Sequence, residues 1–307
     1  MKSLKNSIVN YNNISHIPCI FNGQLYTTIR SFDRNNEHYF VIVNSSSLEV
    51  KIVAQHLCSY RKHDDDGRYF SFKEVQSSNY YKALYLFNKI QDSNENQGLR
   101  NIVGTQGCFL SIDLCPSNKK LEYDLFNRIL QASQDNHQIN LLIAISGLWI
   151  VTHPEDFRWL QSLQTHNIKI TWVNHSFSHI FYNDRDMIGN FLLLPNTNID
   201  HEILSTEKLL IDNGELPSPF FRFPGLVSNK KILDILTSYG LIQLGASAWI
   251  YKLSKNDTVH NGDIILIHGN GNEDKLALNT LMQLVQSNKF IWKNLQTELS
   301  TNMLNMK

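Results

Sequence analysis

The chain has no excess of charge of either sign: 28 Lys and Arg stand against 28 Asp and Glu over 307 residues. The basic surplus that would grip nucleic acid or an anionic membrane is missing, so neither is expected as a partner. No apolar run approaches the ~18–20 residues that a membrane-crossing helix needs, and no membrane span is expected. The opening stretch MKSLKNSIVNYNNISHIPCI starts basic but has no apolar core, so no secretory signal is visible. Cysteine is scarce: Cys19, Cys58, Cys108 and Cys115 lack CxxC spacing, which argues against a zinc ribbon, a thioredoxin-like site or a disulfide scaffold. Internal repeats are absent, which excludes a solenoid. What remains, 42% hydrophobic and 18% charged residues, is the composition of a folded globular protein. Asparagine is abundant, so a single Asn near a motif carries little weight.

Residues 1–102 differ in texture from residues 103–307. Leu25–Ile29, Tyr39–Val43 and Val50–Val53 are short β-branched and aromatic runs with polar breaks, the pattern of hairpins in a small sheet. His63–Phe70 (HDDDGRYF) lacks the alternating ligands of a calcium loop and reads as an acidic turn. Tyr80–Ile90 has helical spacing, and the polar stretch Asp92–Asn101 reads as a linker. From Gly107 onward, strand and helix alternate. Strands are expected at Cys108–Asp113, Leu141–Ile145, Ile168–Val173, Phe220–Phe223 and Ile264–Ile267. Helices are expected at Leu121–Ala132, Glu155–Leu163, His201–Ile211, Lys230–Ser238 and Lys275–Gln286. Such alternation implies parallel strands with crossover helices, an α/β sheet or barrel.

In these folds, side chains at the C-terminal ends of the strands converge on one face. Five polar residues fall at such ends: Asp113, His175, His179, Arg222 and His268. HSFSH places two imidazoles four residues apart, which suits one face of a helical turn and a borderline metal such as Zn²⁺, or else two hydrogen-bonded histidines. Asp113 is either a cap or turn former or a general base. Arg222 sits among apolar residues, where a guanidinium needs a carboxylate, and Asp113 is the candidate. His268 is placed to act as a general acid or to hydrogen-bond a loop. Trp149 either stacks on a sugar face or packs in the core. The loop His268–Asp274 (HGNGNED) lacks the Lys-Ser/Thr pair of a phosphate-binding loop and reads as a tight turn beside the site.

The ordered set SIDLCPS (Ser111–Ser117), HSFSH (His175–His179), RFPG (Arg222–Gly225) and LIH (Leu266–His268) resembles the polysaccharide deacetylases of carbohydrate esterase family 4, the NodB-homology domain. The likeness spans about residues 105–290, with four of the family's five motifs in order. It implies a distorted, TIM-like (β/α) barrel of about seven strands that hydrolyses carbon–nitrogen bonds other than peptide bonds, removing N-acetyl groups from an amino-sugar polymer. Carried over by residue, Asp113 is the base, Arg222 its tether and His268 the acid, while His175 and His179 bind a divalent metal, expected to be zinc. Leu266, Trp249, Trp149 and Pro224 are the expected substrate-lining set, with an N-acetylated carbohydrate as partner and the cell envelope or exterior as the family's usual location. Two departures stand out. Leu114 occupies the position of the third metal ligand, and Gly245 and Ala248 occupy the positions of the acids that support the catalytic histidine. Asp113 remains as a replacement ligand, Cys115 reads first as a small packed residue and otherwise as a thiolate ligand, and His268 is left without an expected partner. A metal-independent relative acting on another amide or carbohydrate, and an inactive carbohydrate-binding protein, stay open as alternatives.

Overall fold

A computed structural model describes residues 7–59, 72–89, 94–134, 138–250, 258–287 and 289–305. The acidic turn expected at His63–Phe70 lies outside them. Seven strands form one sheet, all paired in parallel: β5 (Phe109–Leu114), β6 (Ile139–Ile145), β7 (Ile168–Asn174), β8 (Pro217–Phe221), β9 (Ile242–Gln243), β10 (Ala248–Trp249) and β11 (Ile264–His268), in the order β10-β11-β5-β6-β7-β8-β9. Helices α3 (Tyr123–Gln134), α4 (Gly147–Thr152), α5 (Pro154–Ser162), α6 (Ile199–Asp212) and α7 (Lys230–Ser238) lie between the strands in sequence, as crossover connections require, and α8 (Lys275–Gln286) follows the last strand.

The sheet forms a distorted half-barrel, and the polar stretch read as a linker spans its open side. Leu99 donates to the Gln243 carbonyl (3.0 Å) and accepts from Gly245 (2.8 Å). Next along the chain, the Arg100 carbonyl accepts from Ile264 (3.2 Å), and Ile102 donates to Gly262 (2.9 Å). The approach demands glycine at position 98: φ is +90°, and a Cβ there would lie 2.4 Å from the Gln243 oxygen. Polarity made this stretch look like a connector; its backbone hydrogen bonds are what close the barrel.

Side-chain period two divides the strands cleanly. Leu110, Ile112 and Leu114, with Leu141, Ile143, Ile145, Ile265 and Ile267, face the helices and form the outer core. Phe109, Leu142, Ala144, Val173 and Leu266 face the other way, and their core continues into Ile29, Phe32, Val41 and Val43. Those last four belong to a second, antiparallel sheet of β1 (Val9–Phe21), β2 (Gln24–Arg34), β3 (Glu37–Asn44) and β4 (Val50–Ala54) in that order. Strand β1 was not expected; two register shifts against β2 break its alternation. Cys19 and Cys58 form a disulfide between β1 and the turn after β4. Helices α1 (Phe72–Ser77), α2 (Asn79–Phe87) and α9 (Leu295–Asn305) complete the fold. None of the described helices is long and apolar enough to cross a membrane.

His16, on β1, gives this junction a pH response. Its Nε2 is buried without a hydrogen bond. Burial, reinforced by the Arg30 cation, lowers its pKa from 6.5 to about 4. The unfolded chain therefore takes up a proton near pH 6.5 that the folded protein refuses until about 4. The resulting stability is present above 6.5 and is lost as the pH falls toward 4. Melting temperature measured across that interval should decline, and His16→Gln should flatten part of the slope; an identical slope in the variant would remove His16 from the effect.

Candidate active site

Strand register explains how residues far apart in sequence meet. On adjacent parallel strands, Asp113 of β5 pairs directly with His268 of β11, and Ser111 with Leu266. All four share the inner face, so the carboxylate and the imidazole sit side by side at the mouth of the barrel. Leu114 is one position out of phase, points into the outer core and is fully buried. Cys115 returns to the phase of Asp113. Its Sγ lies 3.5 Å from Nε2 of His175, the residue that follows β7. Arg222 follows β8 and is fully buried.

Asp113 and Arg222 meet as expected. Nη1 donates to both carboxylate oxygens (3.3 and 3.5 Å), while Nη2 donates to Ser111 Oγ (3.0 Å) and to the Gly245 carbonyl (3.1 Å). The guanidinium is thus held by two residues of β5 and by the loop after β9, and it fixes the acid's orientation. At Gly245, where the family likeness led to an expected acid, a backbone oxygen accepts instead.

The HSFSH segment brings its two imidazoles together, with ring centroids 4.9 Å apart, but not through a helical turn. Residues 175–180 are irregular, with Ser176 at φ +64° and His179 at φ +50°. Side-chain capping competes successfully with helix here. Asn174 Oδ1 accepts from Ser176 N (3.0 Å), and Glu202 of α6 accepts from Phe177 N (3.0 Å), Ser178 N (2.9 Å) and Ser178 Oγ (2.6 Å). Left-handed non-glycine residues carry local strain, and two within four positions mark a loop held for a purpose.

His175 Nδ1 lies 2.8 Å from the Arg222 carbonyl. A carbonyl only accepts, so Nδ1 carries the proton and Nε2 turns its lone pair toward the cavity. Burial, opposed by the Asp113 charge, lowers this imidazole's pKa and favours that neutral form. His179 Nε2 is also buried and makes no hydrogen bond. Burial alone would raise the Cys115 thiol, but His179 and His268 outweigh it and bring it down to about 7. The three donor atoms lie within 4.8 Å of one another. For a zinc ion about 2.3 Å from sulfur and 2.0–2.1 Å from nitrogen, tetrahedral geometry spaces two donors about 3.6 Å apart, close to the 3.5 Å between Cys115 and His175. Two imidazole nitrogens and a thiol sulfur make a donor set that suits a borderline-soft divalent ion.

His268 has the partner that the sequence did not reveal. The glycine- and asparagine-rich loop turns back, so that Glu273 accepts from His268 N (3.2 Å) and sits 3.1 Å from Nδ1. Asn270 anchors that loop by donating to the Cys115 carbonyl (2.6 Å). Burial would lower the His268 pKa, but Cys115 and Glu273 outweigh it and raise it to about 10. Glu273 engages Nδ1, which orients the ring and favours its protonated form.

Asp113, Cys115, His175, His179 and His268 all line one cavity of about 730 Å³, together with Leu266 and Trp249. Two expected lining residues are absent from it. Trp149, on α4, is fully buried in the outer core and stacks on His153 at 4.9 Å, because its helix turns that face toward the sheet. Pro224 is buried at the start of a short turn whose next three residues, Gly225–Val227, reach the cavity in its place. Cys115 and Glu273 were the underestimated residues. Strand phase signals the first, and an acid in a short glycine-rich loop after a strand-end histidine signals the second.

A family model described as the RP012 protein N-terminal domain matches residues 10–81. Among solved structures, the chain is similar to a family 4 carbohydrate esterase from Bacillus anthracis (15% identity over 73% of this chain and 92% of that one, TM-score 0.49). It is also similar to a peptidoglycan deacetylase from Bacillus subtilis (14% identity, 66% and 94% covered, TM-score 0.46). A third match is a pseudoenzyme of carbohydrate esterase family 4, also from Bacillus anthracis (13% identity, 74% and 82% covered, TM-score 0.45).

Proposed function

We propose that this protein hydrolyses the amide of an N-acylated amino sugar, as a deacetylase-like enzyme. The observation that carries the reading is the in-register pairing of Asp113 with His268 at one wall of a cavity that also presents His175, His179 and Cys115. A base and an acid are needed on the two sides of an amide: one takes a proton from the attacking water, the other gives one to the departing amine. Asp113, held by Arg222, is the base. His268, oriented by Glu273 and favoured in its protonated form, is the acid. Leu266 and Trp249 form the wall against which the acyl group packs.

His175, His179 and Cys115 are assigned to a divalent ion, zinc in the first instance. Such an ion would polarise the amide carbonyl and make bound water more acidic. The thiolate takes the place of the carboxylate that Leu114 cannot supply. The Cys19–Cys58 disulfide fits an oxidising compartment, in keeping with the cell envelope or exterior.

Acetate release from N-acetylated chitooligosaccharides or peptidoglycan fragments by the zinc-loaded protein tests the reaction; no release from either would end the reading. The metal assignment has its own measurement. Cobalt-substituted protein should show the near-ultraviolet charge-transfer absorption of a thiolate ligand, and Cys115→Ser should abolish it. His179→Ala removes a direct ligand and should weaken cobalt binding by more than the about 10- to 100-fold that loss of an outer-shell partner costs. Cobalt bound without that absorption would remove Cys115 from the ligand set.

A further inference from the structure

The cavity is chemically two-sided. Its reactive groups gather at the strand ends, while the walls away from them are apolar: Val227, Ala246 and Trp249 on one side, Phe181, Met187 and Phe191 on the other. Two of the polar side chains set into those walls already have partners. Asn96 accepts from Ala246 N (2.9 Å) and donates to Ala246 O (2.7 Å). Ser247 Oγ donates to Asp263 (2.7 Å) and accepts from Ile264 N (3.2 Å). Glu95 and Asn272 stand exposed at the rim. Among the described residues, little is left on these walls to pair with the hydroxyls of a polar sugar chain, and an unpaired hydroxyl against apolar wall is unfavourable.

An apolar track leads outward from the reactive groups. His179 meets the Phe191 ring edge-on at 4.9 Å, and Phe191 stacks on Phe181 at 5.4 Å. Met187 and Phe191 close over Gly225, where a Cβ would lie 2.8 and 2.4 Å from their side-chain carbons. The track then reaches the surface. Among the described residues sixteen large apolar side chains are exposed, and five of them fall within residues 180–188; Phe181 is 47% exposed and Met187 41%. Such concentration at a cavity mouth marks a binding surface rather than scattered exposure.

We infer that the substrate carries, close to its scissile amide, a flexible apolar chain of several carbons that lies along Phe191, Phe181 and Met187. The position of the amide rests on the hydrolase reading above; the binding of the chain does not. Two sources share this chemistry: an acyl group longer than acetyl, or an alkyl group joined to the sugar of an N-acetylated substrate.

Two homologous series separate them, each used below its micelle concentration with zinc-loaded protein: N-acylglucosamines from acetyl to octanoyl, and alkyl glycosides of N-acetylglucosamine from methyl to octyl. In one series kcat/KM should rise about three- to fourfold per methylene until the track is filled, and Phe181→Ser with Met187→Ser should flatten that rise. Rates that are flat or falling along both series overturn the inference. If no member is hydrolysed, the amide-hydrolase reading fails, and calorimetry decides the inference alone. Binding of an octanoyl or octyl member at least tenfold tighter than its one- or two-carbon counterpart, reduced in the double variant, sustains it. Equal binding overturns it.

Discussion

Asp113→Asn is expected to slow acetate release about 10³-fold, within the range that a positioned general base contributes, while substrate binding and zinc content stay near those of the unaltered protein. Asparagine keeps an oxygen where Arg222 Nη1 now donates at 3.3 Å, and the guanidinium retains Ser111 and Gly245 as acceptors. The substitution therefore removes basicity while preserving most of the shape. It does leave a fully buried cation without its counter-charge. Some loss of stability is expected, short of the ~3–5 kcal/mol that follows complete removal of one partner of a buried pair. Thermal melts and zinc analysis separate the two effects. A variant that melts slightly lower, binds zinc and has lost turnover identifies Asp113 as the base. A variant with retained turnover takes Asp113 out of the mechanism.

That Asp113, His175, Arg222 and His268 belong together was legible because it depends on two periodic rules. Parallel strands put their C-terminal ends on one rim, and alternation puts Asp113 and His268 on one face. Strands β5 to β7 and β11 and helices α3 and α5 to α7 follow from apolar spacing, β8 only over its last two residues and α4 not at all, and Lys275–Gln286 begins where Asp274 caps it. The features that stayed hidden depend on contacts rather than on period. Glu273 reaches His268 only because Gly271 lets the loop turn back at φ +74°. The HSFSH segment avoids helix because Glu202, some 25 residues later, satisfies its amides. Residues 99–102 look like a linker by composition, yet their backbone groups bridge the ends of the sheet. Trp149 shows the same limit from the other side: a tryptophan beside a strand end suits a sugar platform or a core, and only packing decides between them.

Glu207→Ala is expected to cost ~3–5 kcal/mol of stability, the range for stripping one partner from a buried ion pair, and so to affect folding more than any change in the cavity. Arg30, on β2, has no exposed surface, and Glu207, on α6, has a side chain only 2% exposed. Nε and Nη2 of the arginine donate to the two carboxylate oxygens at 2.7 and 3.0 Å, a forked pairing that only a guanidinium can make. Tyr11 on β1 donates to the same carboxylate (2.9 Å), and Nη1 of Arg30 donates to the Tyr239 carbonyl just beyond α7 (2.7 Å). One pair thus joins the antiparallel sheet to two helices of the barrel. Without the carboxylate, the cation cannot reach water unless the two sheets separate. Urea unfolding of Glu207→Ala should show a lower midpoint. The double variant Arg30→Met with Glu207→Leu should recover part of the loss, because two apolar side chains no longer leave a charge stranded. The recovery should be incomplete, since Asn13 and the Ile29 and Tyr239 carbonyls lose their donor. A midpoint unchanged in Glu207→Ala would mean that the two sheets are held by their shared apolar core alone, with the ion pair contributing nothing to their union.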